Sequence, residues 1–440
     1  MNAKAKDAPD KVRELQRALY RAAKASATRR FHALFDKVHR EDILARAWQE
    51  VKANAGSAGV DGQTIRGIEE QGVKEFLAEL GTELREGRYR PQPVRRVMIP
   101  KADGRERPLG IPTVRDRVAQ AAAKLVLEPI FEADFRDSSY GFRPRRNAHQ
   151  AGEQIRQAVN RGASWVIDAD IEAFFDRIPQ AKLVELVEKR VNDRRMLQLL
   201  KGWLRVGVLE GGTIVPRDQG VSQGSPISPL LANVVLNELD KLWEDHCRQL
   251  GQLIRYCDDF VIVCGREEQA REGLRRVEEV LSWLGLRLHP EKTRVVDVGD
   301  GREGFDFLGF HFRKVESWRW RGRKYLQRWP SRRAMQEARD RIKAVTAPRH
   351  RLPEPVGTLV EELNGYLRGW GGYFRVGNST RKFQQIDAYV RERLALWHSK
   401  KTGRHGRNWE SHPRAYFQAL GVYELRGTVK WYTAAPTAVR

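Results

Sequence analysis

The chain has 440 residues, and its 80 Lys and Arg against 57 Asp and Glu leave a formal charge of +23. At roughly 100–200 residues per domain this length suggests two to four domains and can bury a full-sized core, which excludes a small scaffold held by staples. Hydrophobic residues make up 41% of the chain, with 12 Trp, 11 Tyr and 16 Phe, enough apolar surface to offset chain entropy and exclude wholesale disorder. The three cysteines, Cys247, Cys257 and Cys264, form no Cys-x-x-Cys pair and have no His at finger spacing. They support neither a disulfide framework nor a zinc module, and a reducing cytoplasm fits them best. No run of about 18 apolar residues occurs and the start lacks a secretory core, so no membrane partner is expected. Clustered Lys and Arg release counterions from a phosphate backbone, which makes a polyanion the natural partner, although a merely soluble basic protein has the same charge.

The apolar spacing Val12, Leu15, Leu19, Ala22 predicts a first helix, Asp42 to Ala53 a second and, after the turn-rich AGSAGVDG, Val73 to Glu86 a third. Two β-type runs, VRRVMIP and RPLGIP, flank KADGRE, where Asp103-Gly104 signals a basic hairpin. Helices are expected over Val114 to Phe135 and Asn147 to Arg161, then a buried strand in SWVIDADI and a helix near Gln180 to Arg190. The segment GVSQGSPISPLLANVVLNELDKLWEDH opens as a Gly/Pro loop and becomes a long helix. LIRYCDDFVIVCG reads as a tight hairpin with Asp258 and Asp259 at its turn, and helix, turn and strand follow through Val296. Residues 313–333 hold nine Lys or Arg against one acid, interleaved with Trp318, Trp320, Tyr325 and Trp329. Beyond the Pro-rich connection 346–357, Leu363, Tyr366, Leu367, Trp370 and then Phe383, Ile386, Tyr389, Val390, Leu394, Trp397 mark two helices of a separate α-helical domain. No repeat of solenoid or propeller length appears.

Transfer of a nucleotide to a nucleic-acid 3′-hydroxyl uses two divalent ions about 3.5–4 Å apart, one activating the attacking oxygen and one stabilising the leaving oxygen. Magnesium keeps several waters and takes one or two protein carboxylates per ion, so two or three aspartates on adjacent strands suffice. VIDADIEAFFD places Asp168 and Asp170 on one side of a strand, and Asp170 would face the Asp258-Asp259 turn if the strands pair. Each half has a bland alternative, a solvated turn or a strand-end Asp capping a helix.

The ordered ensemble decides between them. ANAGSAGVDG, VRRVMIPKADGRERPLGIPTVRDRVAQ, LEPIFEADFRDSSYGFRPRRNAHQA, WVIDADIEAFFDRI, GVSQGSPISPLLANVVLNELD, RYCDDFVIV, LHPEKT and FDFLGFHF follow one another in the chain. Together they resemble the reverse transcriptases encoded by bacterial group II introns, the intron maturases, in the form that lacks an endonuclease domain. That resemblance implies an α+β right-hand polymerase with an antiparallel palm sheet: fingers and palm over residues 1–310, a thumb or maturase X domain over 311–400, and a short DNA-binding tail over 401–440. The implied activity is RNA-directed DNA synthesis with two Mg2+ ions, for which Mn2+ is a substitute, together with binding of the intron RNA to promote splicing and mobility. The implied partners are a group II intron RNA, an RNA template with a DNA primer, target DNA and deoxynucleoside triphosphates, met in the bacterial cytoplasm at the nucleoid.

Carried over position by position, the metal ligands fall on Asp170, Asp258, Asp259 and the backbone carbonyl of Ile171, leaving Asp168 structural. Tyr256 and Cys257 occupy the Tyr and variable positions of the family's YxDD motif, with Cys257 as a small residue at the primer end rather than a reactive thiol. Phe175 stands where a bulky residue closes off the nucleotide 2′ position, and as one of two consecutive phenylalanines on an extended segment it is expected on the face opposite Phe174. Lys101 and Arg107 bracket the KADGRE turn as triphosphate ligands, and Gln223 contacts nucleotide or template. Lys292 matches a position proposed to protonate departing pyrophosphate, with a surface lysine as the equal alternative. Ser222 replaces the family's usual Pro before Gln-Gly, which frees the loop backbone. Tyr256, Arg319, Arg321, Arg323 and Lys324 are the nucleic-acid-binding candidates. A free-standing reverse transcriptase used in defence or repair, or an RNA-binding splicing cofactor without polymerisation, are the other readings.

Overall fold

The computed structural model describes residues 10–100, 106–317, 319–403 and 413–430. Lys101, Asp103, Gly104, Trp318 and the last ten residues of the expected tail lie outside them, as does the side chain of Arg107.

The first 90 residues form α1 (Lys11–Ala25), α2 (Phe35–Val38), α3 (Glu41–Ala53), α4 (Ile65–Gln71) and α5 (Val73–Glu86). Val12, Leu19 and Ala23 of α1 and Ile43, Leu44, Ala47 and Val51 of α3 face inward at helical spacing and pack against α6 (Val114–Glu132). Between them β1 (Val94–Pro100) and β2 (Glu106–Ile111) pair antiparallel, as the Asp-Gly turn predicts. After α7 (Ala148–Asn160), β3 (Trp165–Asp170) enters the centre of the molecule, and α8 (Phe174–Arg177), α9 (Gln180–Glu188) and α10 (Arg194–Arg205) follow. The short hairpin β4 (Val208–Glu210) and β5 (Thr213–Val215) extends the first sheet to the order β2-β1-β4-β5.

α11 (Ser228–Leu242) leads to β6 (Gln252–Tyr256) and β7 (Asp259–Cys264), then α12 (Glu267–Trp283) and β8 (Arg294–Asp297). These strands and β3 form one antiparallel sheet in the order β6-β7-β3-β8. Because side chains alternate along a strand, the sheet serves two cores. Ile167, Ala169, Leu253, Phe260 and Ile262 face the first core with α6, α11 and α12. Val166, Ile254, Val261, Val263 and Val296 face the second, with α7 and the C-terminal elements. The aspartates at even positions of β3, and Asp259 in β7, therefore stand on the face of the second core.

That core is closed by the sheet β9 (Gly304–Phe307), β10 (Phe310–Glu316) and β11 (Lys324–Pro330), and by α13 (Arg332–Thr346), α14 (Val356–Phe374), α15 (Thr380–Lys401) and α16 (Arg414–Ala419). The basic-aromatic stretch is thus a β-hairpin running into a helix. α13 was not anticipated from sequence. Its inward face holds Ala334, Met335, Ala338, Ile342 and Val345, so small residues dilute the apolar signal among five cations, Arg332, Arg333, Arg339, Arg341 and Lys343.

Phe174 and Phe175 correct a second expectation. Ala173 adopts a left-handed conformation, φ 46°, which ends the extended chain and turns both phenylalanines into α8. Both rings are buried in the first core in an edge-on pair with centroids 5.5 Å apart, rather than on opposite faces.

Candidate active site

Strand register brings the acidic residues together. Asp170 in β3 is the direct partner of Asp259 in β7, and Asp259 is the partner of Tyr256 in β6, so Tyr256, Asp259 and Asp170 form one row across three strands. Cys257 and Asp258 make the two-residue turn at the end of that row. Two-residue hairpins favour glycine where φ is positive, yet Cys257 sits at φ 60°. A non-glycine residue there costs on the order of 1–2 kcal/mol and persists only where its surroundings over-determine it.

The surroundings do so from two sides. Arg255, fully buried, donates from Nη1 to the Cys257 carbonyl at 3.0 Å and to Asn233 Oδ1 at 3.1 Å, from Nη2 to Ser139 Oγ at 2.9 Å, and from Nε to Asp240 Oδ1 at 2.8 Å. Asp240, on α11, is fully buried as well and takes a second bond from the same guanidinium. On the other side, residues 138–140 lie alongside β6: the Arg255 amide donates to the Ser138 carbonyl at 2.8 Å, and the Tyr140 amide to the Arg255 carbonyl at 2.8 Å. Gly141 then meets the turn so closely that a Cβ there would stand 2.6 Å from the Cys257 nitrogen. The SSYGFRP segment is in this way the mould for the Cys257-Asp258 turn. Burial, followed by the Asp258 charge, pushes the Cys257 thiol well above its ordinary range, which leaves it no reactive role.

The carboxylates crowd one another. Burial pushes Asp259 well above the usual carboxylate range, and the charges of Asp168, Asp170 and Asp258 push it further, while the Leu308 amide donates to it and pulls the other way. Asp168 is pushed up to about 6 by burial, against the pull of Arg294, whose Nε lies 3.1 Å from it. Lys292 reaches in from the turn before β8, and its half-exposed side chain donates through Nζ to the Asp170 carboxylate. The His289 amide donates to the Asp170 carbonyl at 2.8 Å, and Ile171 bridges to Leu288, which fixes this turn against the end of β3.

Among the described residues no group of three or more His, Cys, Asp or Glu side chains is arranged as a metal cage. The donor set nevertheless fits a hard cation. Magnesium asks for only one or two protein carboxylates and completes its shell with water and substrate phosphate, and mutual repulsion among Asp168, Asp170, Asp258 and Asp259 is what a bound divalent ion relieves.

The nucleotide-side candidates are less convergent. Gln223 Nε2 donates to Asp176 Oδ2 at 2.9 Å, which places it beside α8. Phe175 accepts from the Val221 amide through its carbonyl at 2.7 Å and so ties α8 to the Ser222-Gln223-Gly224 loop. Ser222 does not leave that loop loose: its Oγ donates to the Gly110 carbonyl of β2 at 3.1 Å, and a Cβ on Gly224 would stand 2.1 Å from the same oxygen. Arg319, Arg321, Arg323 and Lys324 gather at the tip of the β10–β11 hairpin, apart from the carboxylate row.

Comparison with known proteins gives this sheet its context. A family model described as reverse transcriptase (RNA-dependent DNA polymerase) matches residues 99–312, and one described as the group II intron maturase-specific domain matches residues 335–417. Protein YkfC of Escherichia coli (strain K12) is 34% identical over 338 residues, which covers 68% of this chain and 87% of that protein. The chain belongs to the group II intron reverse transcriptase and maturase family. Group II intron-encoded protein LtrA of Lactococcus lactis subsp. cremoris is 38% identical over 214 residues, 48% of this chain and 35% of LtrA. The putative COX1/OXI3 intron 1 protein of Saccharomyces cerevisiae is 30% identical over 58% of this chain and 36% of its own length. The matched region thus takes in about a third of these two longer relatives. A solved structure titled partial Cas6-RT-Cas1–Cas2 complex aligns over 57% of this chain and 41% of that one at 27% identity, with a TM-score of 0.36.

The sheet order β6-β7-β3-β8 is accordingly the palm of a reverse transcriptase, a class that uses divalent metal ions. Within the family's domain three residues escaped sequence reasoning. Arg255 had a legible signal, since it is a charge within the apolar run that begins at Leu253 and such charges are buried only in pairs, whereas Asp240 stands between Glu238 and Lys241 and carried no such signal. Tyr373 had none: it lies on α14 of the maturase domain, and its hydroxyl donates at 2.9 Å to the carbonyl of Leu308, the residue whose amide holds Asp259. No helix among the described residues is long and apolar enough to cross a membrane.

Proposed function

We propose that the chain synthesises DNA on an RNA template from a primer 3′-hydroxyl, with two magnesium ions, and binds its intron RNA as a maturase. The observation that carries the polymerase half is the row of Tyr256, Asp259 and Asp170 with Asp258 at its turn. Asp170, Asp258, Asp259 and the Ile171 carbonyl would hold the ions, which lower the barrier by activating the primer oxygen and neutralising charge on the leaving phosphate. The chain's own residues do the rest. The left-handed Cys257 turn, gripped by Arg255, keeps Asp258 and the primer end in place. Gln223 would form the floor for the incoming deoxynucleotide, and Phe175, buried in the core beneath and tied to the loop through its carbonyl, would back that floor on the 2′ side. Lys101 and Arg107 of the β1–β2 hairpin take the triphosphate. Lys292, whose Nζ donates to Asp170, would pass a proton to departing pyrophosphate.

The maturase half rests on the second core, which joins β9–β11 to α13–α16 and presents the basic hairpin. Template–primer, intron RNA and target DNA are its expected partners. Asp258→Asn tests the site: metal-dependent synthesis on a primed RNA template should disappear while RNA affinity is retained, and synthesis by that variant would refute the assignment.

A further inference from the structure

The outer face of the β9–β10–β11 sheet has no role in the site described above. Period two along these strands sends Phe305, Phe307, Phe310, Phe312 and Leu326 into the second core. The opposite face therefore presents Asp306, His311 and Trp329 as one cross-strand row and Arg313 with Gln327 as the next, and Tyr325 stands beyond them toward the tip. At the tip Trp320 lies 6.5 Å from Tyr325, with the Arg319 guanidinium 5.3 Å from the Trp320 ring. At the other end α13 and α15 wall off a cleft of about 600 Å³, within the range of natural ligand sites.

Its lining is mostly cationic: it includes one carboxylate, Asp306, which pairs with His311, and Arg294, which pairs with Asp168. Arg313, Arg332, Arg339 and Lys382 all border the cleft, and none has an ion-pair partner among the described residues. Their neighbours on the same helix are different: Arg333 pairs with Glu337 and Arg341 with Glu362, both away from the cleft. Carboxylates are thus available on α13 and are placed where they do not neutralise this surface. Four cations without an ion-pair partner among the described residues border one cavity and repel each other, and an anion bound between them relieves that repulsion. The Arg313 guanidinium, 5.6 Å from the Trp329 ring, joins the charge to an aromatic platform.

We propose that this face is a track for an unpaired RNA strand, with its phosphates in the cleft and its bases on Trp329, Tyr325 and Trp320. The aromatic content selects the ligand. Single-strand binders combine a positive groove with rings on which bases stack, whereas a duplex keeps its bases stacked inside and is read through shape and backbone. Trp329 and Tyr325 are four residues apart on one strand, roughly 13 Å at the rise of a β-strand, room for more than one nucleotide between them. The inference rests on the maturase reading and names the form of RNA it takes.

The test uses the full chain, a labelled unstructured oligoribonucleotide, and a blunt RNA duplex of the same length. In Arg339→Ala/Lys382→Ala the slope of log affinity against log salt for the unpaired RNA should become shallower by about 1.4, two contacts at about 0.7 each. Trp329→Ala should weaken the same ligand on the order of tenfold, with Trp329→Phe restoring most of the loss. An unchanged slope and affinity would overturn the track, and so would a loss confined to the duplex. Retention of a folded group II intron RNA by the wild-type chain in filter binding reports separately on the maturase reading, so the two can fail independently.

Discussion

The grip of Arg255 on the Cys257-Asp258 turn can be separated from its share in stability. The guanidinium and the Asp240 carboxylate are both fully buried, so removing one leaves the other as an unpaired charge in the interior. Asp240→Ala should cost about 3–5 kcal/mol, the usual penalty for breaking a buried pair from one side. With about 2.1 cal/mol/K of unfolding entropy per residue over roughly 300 cooperatively unfolding residues, that is a fall in Tm of roughly 5–8 °C by calorimetry. Replacing both members, Arg255→Met with Asp240→Leu, removes the desolvated charges together and should return stability close to the wild type. It does not return the bond from Arg255 Nη1 to the Cys257 carbonyl, so the turn with φ 60° loses its restraint. DNA synthesis by the double variant should then fall on the order of 10²-fold, the scale of effect of a misplaced catalytic group, at nearly normal Tm. A Tm drop below about 2 °C in Asp240→Ala would refute the energetic argument, and full synthesis by the double variant would refute the positioning argument.

Tyr373→Phe removes the bond to the Leu308 carbonyl, with an expected stability loss of about 1 kcal/mol; because the Leu308 amide holds Asp259, kcat should fall while RNA affinity measured by filter binding stays constant. His149, against Tyr373 and Phe310 with its Nδ1 buried and unpartnered among the described residues, is held below its ordinary pKa of 6.5 by burial and then by the charges of Arg328 and Arg375. Its folded state takes up the proton later than its unfolded state, so stability is full above about pH 6.5 and declines as pH falls from there to the folded value, by at most about 1.4 kcal/mol per pH unit. His149→Phe should flatten that stretch of a stability-versus-pH curve, and an unaltered curve would count against the assignment. Gly224→Ala places a Cβ 2.1 Å from the Gly110 carbonyl and must push the Gln223 loop off β2, so nucleotide KM should rise in steady-state kinetics more than primer–template KM does.

Much of this protein was legible in its sequence because the signals are local. Alternating apolar residues around Asp168 and Asp170, and an Asp-Asp pair between two apolar runs, are enough to draw β3, β6 and β7, and the order of motifs identified the family. The hairpin at β1–β2 followed from Asp-Gly chemistry, which acts over two residues. What escaped depends on backbone conformation or on contacts between distant segments. Phe174 and Phe175 look extended until the left-handed Ala173 turns them into a helix. Ser222 in place of Pro looks like a loosened loop until its hydroxyl meets Gly110, 112 positions away in sequence.

The division has a physical basis. Which residues can bind a divalent ion is a property of side-chain chemistry, and the sequence by itself determined that Asp170, Asp258 and Asp259 were the carboxylates to watch. Whether they act together is a matter of register, and only strand pairing put Asp170 opposite Asp259. Only tertiary packing supplied the buried Arg255–Asp240 pair beneath the turn, joined α14 to Asp259 through Tyr373 and Leu308, and left Arg313, Arg332, Arg339 and Lys382 around one cleft without an ion-pair partner among the described residues. Charge is counted along a chain, but its partners are chosen in space.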